Sequence, residues 1–372
     1  MSASRILVVN AGSSSLKLRL LDASDAVVAS ADLAAPRGTA DGEAIGAALS
    51  EFGQIDAVGH RIVHGGTRYS GPVRLDPSVE GHLRALSDLA PLHQPKSLAA
   101  MAAVQAVIPE VPAVACFDTA FHAAMPAAVT TYAIPPEWRK RWDLRKYGFH
   151  GLSHAYASRH AAAMVGRPVE ELRIVTCHLG AGASLAAVRG GRSIDTTMGF
   201  TPLDGLVMAT RSGSIDPGLV LWLEAHVGMP AEELASTLEH RSGLLGLAGT
   251  ADMRAILAAE AAGDEAASLA IEVYLHRLRA AIGAMVATLG GLDVLVFTGG
   301  VGERAASIRE RAAAGLAFLG VAVHPPANAA ATGDADVSEP GAAVRTLVVT
   351  AREDLEIARQ VRAVLAPDPA GA

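Results

Sequence analysis

Cysteine is the first scarcity: the chain holds 2 in 372 residues, Cys116 and Cys177, each inside an apolar run. That excludes a disulfide framework and a cysteine-built metal cluster, and it fits reduced, buried thiols in a cytoplasmic protein. Long apolar runs are missing as well. The first stops at Asn10, too short for a signal-peptide core, and no later stretch approaches a membrane span. A soluble, unprocessed chain without a membrane partner is the expectation. Excess positive charge is also lacking. A formal net charge of -7 argues against a nucleic-acid partner, so any anion must be met by a local arrangement of Arg, Lys and backbone N–H groups. Lysine is scarce, with Lys17 the only one before Lys96.

What is present, 51% hydrophobic and 19% charged residues in 372, describes a globular chain long enough for two domains of ordinary size. The stretch around which it is organised is Ile6 to Asp22, ILVVNAGSSSLKLRLLD. Ile6 to Val9 reads as a buried strand, and Leu16 to Leu20 alternates with the two-residue period of a second. Between them Gly12 and Ser13 to Ser15 make a tight polar turn that can present hydroxyls and N–H groups to an anion, with Lys17 as a compact positive charge. A Walker loop is excluded, since it needs a second Gly directly before the Lys and a helix after it. A ligand-free Gly/Ser turn is the plain alternative.

Ala26 to Leu33 reads as a third strand and the Ala-rich segment up to Phe52 as a helix. Ile55 to Gly59 is a strand candidate ending in His60-Arg61-Ile62-Val63-His64-Gly65-Gly66, a polar cluster where α/β sheets bind ligands, or a charged loop with a Gly-Gly turn. Leu89 to Lys96 is a proline-bounded loop presenting His93, followed by a helix through Val107. Val111 to Phe117 reads as a strand ending at Asp118, where Asp118 or Thr119 could serve as a helix cap. In KYGFHG, glycines flanking Phe149 and His150 suggest a close backbone approach, or a turn before a helix capped by Ser153.

The second half then echoes the first. Ile174 to His178, the turn Leu179 to Ser184 and the strand Leu185 to Val188 repeat the plan of the opening hairpin, with His178 in the place of Asn10. A repeat of half-chain length predicts two similar domains facing each other across a cleft. Glu265 to Leu289 has helical spacing. Leu292 to Phe297 is a buried strand opening into Thr298-Gly299-Gly300-Val301-Gly302-Glu303 and a helix, a place for an anion or a nucleotide. The third Gly of the dinucleotide fingerprint is missing, which argues against a hydride-transfer enzyme. His324 to Ala343 reads as a loop without periodicity, Val344 to Val349 as a strand, and Arg352-Glu353-Asp354 as the start of a helix to about Leu365.

In their order, NAGSSSLK, GHRIVHGG, APLHQP, FDTAFH, KYGFHGLSH, CHLGAGAS, MGFTPLDGL, TRSGSIDPG, SGLLGLAG, FTGGVGE and EDLEIA resemble acetate kinase, from Ile6 to about Gln360. The resemblance implies an α/β fold of two similar domains of the actin and sugar-kinase type, a duplicated ribonuclease H-like plan. Residues 1–120 with 355–372 would form the acid-binding domain and 121–354 the nucleotide-binding domain. It implies ATP and ADP as substrates, magnesium (or manganese) as cofactor, acetate as acceptor and a homodimer.

Residue by residue, the resemblance implies that Asn10 and Glu353 hold the metal and that Arg61 binds the acid. His150 and Arg211 would hold the transferring phosphoryl, with Asp118 the catalytic acidic residue. Val63, Leu92, Phe149 and Pro202, with His93 beside them, would line the acid pocket. Lys17, the turn His178, Leu179, Gly180, Ala181 and Gly182, then Asp252, Met253 and Arg254, and Gly300, Val301, Gly302, Glu303 and Arg304 would meet the nucleotide. Ala181 and Arg304 stand where the family has Asn, Ser214 where it has Asp, and Ala351-Arg352-Glu353-Asp354-Leu355 where it has TNEEL. Propionate kinase shares every motif and differs in pocket volume. A decayed nucleotide-binding protein is the competitor from another class, and a sugar kinase or actin-like ATPase would leave the Arg61 and Val63 cluster unexplained.

Overall fold

The computed structural model of the protein describes residues 4–12, 15–35, 41–87 and 94–366; Ser13, Ser14, Leu92 and His93 lie outside them. The chain forms two compact units, one of residues 1–123, 149–156 and 352–372, the other of 124–148 and 157–351. Residues 121–123, 149–156 and 352–354 thus belong to the first unit, where the boundaries read from the sequence place them in the second.

In the first unit, β1 (Ile6–Ala11), β2 (Ser15–Leu21), β3 (Val27–Ala34), β4 (Ala57–Ile62), β5 (Val73–Arg74) and β6 (Ala113–Phe117) form one sheet in the order β3-β2-β1-β4-β6-β5. The second has β7 (Arg173–Leu179), β8 (Ala183–Arg189), β9 (Arg192–Thr196), β10 (Val294–Thr298), β11 (Ala335–Asp336) and β12 (Arg345–Val348) in the order β9-β8-β7-β10-β12-β11. Counted within each unit the two orders are the same. So are the directions, with antiparallel hairpins at one side and three parallel strands in the middle, β1, β4, β6 and β7, β10, β12. The half-chain repeat is therefore a repeat of topology, the duplicated ribonuclease H-like plan.

Parallel strands are covered on both faces, which is why they read as continuous apolar runs. Leu7, Val9 and Val58 pack on the helices Gly42–Phe52 and Gln94–Val107 through Ile45, Leu49, Ala100 and Val104. Ile6, Val8 and Ala57 pack on the helix Glu353–Leu365 through Ile357, Ala358 and Val361. Gly59 decides how closely that last helix lies. A Cβ there would run into the side chains of Ile357 and Val361, so the missing side chain lets the helix down onto β4.

Several local readings need correction. β4 runs through Ile62, so Arg61 is a strand residue rather than part of a loop after Gly59. Ser153 lies inside the helix Gly151–Val165 rather than at its cap position, because the helix begins two residues earlier. The turn of the second hairpin shrinks to residues 180–182, since Leu179 and Ala183 are paired. The segment after β10 turns helical at Gly299 itself. Within His324 to Ala343 the chain forms the helix Pro325–Ala330, which proline starts well at its first turn, and the strand β11.

Candidate active site

Four polar side chains of the first unit converge at the carboxyl ends of its parallel strands. Asn10 ends β1, Arg61 stands near the end of β4, Asp118 follows β6, and Glu353 opens the helix that Gly59 admits. Arg61 donates from Nε to both Asp118 oxygens at 3.1 Å and from Nη2 to Oδ2 at 2.7 Å. Its Nη1 donates to Asn10 Oδ1 at 3.1 Å and lies 3.8 Å from Glu353 Oε2. Asn10 Nδ2 in turn donates to that same Glu353 oxygen at 3.1 Å. Glu353 thus reaches Asn10 from within one unit, not from the opposite one.

Electrostatics follow from burial. The Asp118 side chain is 2% exposed and that of Arg61 17%. Burial pushes the Asp118 carboxyl upward against the pull of Arg61. Burial also opposes the Arg61 charge, but the Asp118 and Glu353 carboxylates outweigh it and hold the guanidinium charged. Three of the five guanidinium N–H groups are used here, leaving one on each terminal nitrogen for an incoming carboxylate. The cap reading of Asp118 does not hold: its carboxylate is given to Arg61, and Thr119 Oγ1 accepts from Gly65 N at 3.1 Å.

Beside this network the chain is strained at one residue. His150 has φ +57°, left-handed for a residue with a side chain, a cost of about 1 kcal/mol or more that the surroundings must impose. They do so from both sides. Gly151 N donates to Asp118 O at 2.8 Å, and a Cβ on Gly151 would collide with that carbonyl, which is the close approach the flanking glycine signalled. The buried His122 donates from Nε2 to Phe149 O at 3.0 Å, since a carbonyl can only accept. Phe149 is buried, with its ring edge-to-face with His64 at 5.6 Å, beside the buried Val63. Lys17 is exposed and registers opposite Asn10, so the two side chains share a face of the hairpin.

The second unit assembles its own cluster. The turn after His178 is closed by Gly180 N donating to Gly182 O at 3.0 Å. Gly299, at φ +78°, lies against the Leu179 backbone, which brings Gly300 and the following Val301, Gly302, Glu303 and Arg304 beside that turn. Glu303 Oε1 accepts from Gly299 N and from Ala351 N, each at 3.0 Å. Ala181 O accepts from Ala209 N at 3.1 Å, so the segment leading to Arg211 is fastened to the turn by backbone. Arg211 donates to Pro202 O at 3.2 Å and pairs through Nε with Glu239 Oε1 at 2.7 Å. By contrast, Asp252 and Arg254 are taken up with each other: Asp252 caps the helix Met253–Ala261, whose first residue is buried, and pairs with the exposed Arg254 at 2.9 Å. Ser214, in place of a second acid, donates to Asp204 at 2.5 Å.

Sequence reasoning missed Glu239, which no motif contains, and His122, which stands inside FDTAFH but carries no role there. Leu92 and His93 lie outside the described residues. Among the described residues no group of three or more His, Cys, Asp or Glu could hold a metal by itself. No helix among them is long and apolar enough to cross a membrane.

Residues 43–359 match the model of the acetokinase family. An acetate kinase of Microcystis aeruginosa is 49% identical over 313 residues, covering 84% of this chain and 78% of that one. An acetate kinase of Bacillus subtilis is 41% identical over 389 aligned positions, covering 96% and 98%. Among solved structures, an acetate kinase of Porphyromonas gingivalis superposes with a TM-score of 0.89 at 35% identity, over 98% of this chain and 100% of that one. A propionate kinase of Francisella tularensis does so with 0.90 at 35%, over 97% and 100%.

Proposed function

Because the chain belongs to the acetokinase family, we propose that it catalyses the reversible transfer of the terminal phosphoryl group of ATP to acetate, giving acetyl phosphate and ADP. The observation that carries the reading is the network of Asn10, Arg61, Asp118 and Glu353, which holds a guanidinium charged, oriented and with two N–H groups to spare.

The acid needs no base. A simple carboxylic acid has a pKa of roughly 4 to 5 and is already ionised at neutral pH. A carboxylate oxygen attacks the terminal phosphorus while the bond to the bridging oxygen of ADP breaks. The obstacle is an anion approaching a polyanion, with charge spread over the equatorial oxygens of a loose transition state. Positive groups fixed in advance lower that barrier. Arg61 binds the acid, and His150 and Arg211 hold the phosphoryl. Asp118, with both oxygens on Arg61, orients that side chain rather than removing a proton. The nucleotide falls to the turns at 178–182 and 300–304 with Asp252 to Arg254, and Lys17 adds charge at the hairpin.

The oxygens of Asn10 and Glu353 suit a hard cation such as magnesium, which keeps several waters and takes phosphate oxygens, and so needs no cage of three protein ligands. When bound, it neutralises phosphate charge. A homodimer in the cytoplasm belongs to the same proposal; its support is the run of exposed apolar residues Leu219, Leu221, Trp222 and Val227, and light scattering tests it.

Acetate is preferred to propionate in this reading, with the buried Val63 and Phe149 of the first unit lining the acid pocket. An extra methylene is worth about 1 to 3 kcal/mol, so wild type should favour acetate by roughly tenfold or more yet still accept propionate. Val63→Ala should flatten or reverse that order. The test is kcat/KM for acetate, propionate and butyrate on both proteins. A wild type that favours propionate moves the assignment to propionate kinase, and an unaltered order in Val63→Ala removes Val63 from the pocket.

A further inference from the structure

We propose that Glu239 is a positioning residue for phosphoryl transfer, fixing the Arg211 guanidinium in the orientation in which it meets the transferring group; this rests on the reading of Arg211 given above. Glu239 occupies the last turn of the helix Ala231–His240, and its side chain is 10% exposed. A carboxylate at that end of a helix is disfavoured by the helix dipole and again by burial, so it persists only with a cation against it. Arg211 is that cation, with Nε 2.7 Å from Glu239 Oε1.

The backbone is tied to the same place. Thr210 Oγ1 donates to Glu239 O at 2.9 Å, Ser212 N to Leu238 O at 3.0 Å, and Ser242 N to Thr210 O at 2.9 Å. On its other side the guanidinium is turned by Pro202 O, which accepts from Nη1 at 3.2 Å, with Met208 Sδ at 3.7 Å from the same nitrogen. A planar fork held at Nε by a carboxylate loses rotation about its last bonds before any substrate arrives, and less is lost on binding. Arg61 is held in the same way, by Asp118 at Nε. The arginine given to the acid and the arginine given to the transferring phosphoryl therefore each have an orienting carboxylate.

Glu239→Gln keeps the size and one acceptor oxygen but removes the charge. With the full chain, ATP, magnesium and acetate, assayed well below the melting transition so that the folded fraction is the same, kcat is expected to fall about tenfold or more while KM for acetate stays within about twofold. Glu239→Asp, which keeps the charge with a shorter reach, should fall between the two. In an Arg211→Lys background, Glu239→Gln should cost clearly less, because the partner's fork is gone. A wild-type kcat in Glu239→Gln, an equal loss in both backgrounds, a loss that follows the melting temperature, or an Asp variant worse than Gln would each overturn the proposal. If Arg211→Ala keeps full activity, the reading of Arg211 itself falls; if that variant is dead while Glu239→Gln is unaffected, only the role of Glu239 does.

Discussion

At the scale of single residues, activity turns on which buried charges are matched. Asp118 and Arg61 satisfy each other, and removing either charge strands the other in a poorly solvated place. Asp118→Asn should lower kcat/KM for acetate by about a hundredfold or more, leave KM for ATP within about twofold, and keep the shape of the pH profile. Loss of an ionisation from that profile would make Asp118 a proton acceptor instead. His60 is the opposite case, a buried ring whose two nitrogens have no hydrogen-bond partner among the described residues. Burial holds its pKa at about 3 against an ordinary 6.5, and that of His64 at about 4. Between those limits the unfolded chain binds the proton and the folded one does not, so stability falls as pH drops below 6.5. By pH 5 His60 accounts for a loss of about 2 kcal/mol. Urea unfolding of wild type and His60→Leu at pH 7.5 and 5 should show the variant losing less by that amount; equal losses would mean that His60 is protonated in the fold.

Among the elements, the helix Glu353–Leu365 carries the heaviest functional duty, because its packing on β4 decides where Glu353 stands. Gly59→Ala should force Ile357 and Val361 away, costing about 1 to 3 kcal/mol, and should raise the magnesium concentration needed for half-maximal activity. Ile357→Ala in the same chain should restore part of both. A destabilised Gly59→Ala with an unchanged magnesium requirement would separate helix packing from the metal role proposed for Glu353. The strands, the hairpins and the helix Glu265–Leu289 were legible because period and apolar runs are local signals. Ser153 misled because a Ser near a helix start reads as a cap, whereas the start was set by Gly151 meeting the Asp118 carbonyl. Glu239 left no local trace at all, since its meaning comes from Arg211, a residue brought to it only by the tertiary fold.

For the whole molecule, the duplication was visible in two hairpins, Asn10 with Lys17 and His178 with Ser184, and it extends to every strand and direction of both sheets. Strand order itself could not be read from the chain, because pairing between β1 and β4 or β7 and β10 depends on contacts across long intervals. The departures at Ala181 and Ser214 are compatible with function on physical grounds, while nothing in the structure explains the one at Arg304. Ala181 keeps the backbone bond to Ala209, and Ser214 gives Asp204 a donor where a second carboxylate would repel it. The direct test of the central claim is phosphorus NMR of the full chain with ATP, magnesium and acetate. Acetyl phosphate and ADP should appear in equal amounts, with no ADP formed when acetate is omitted. ADP released without acetyl phosphate, or ATP left intact with acetate and propionate alike, would contradict it.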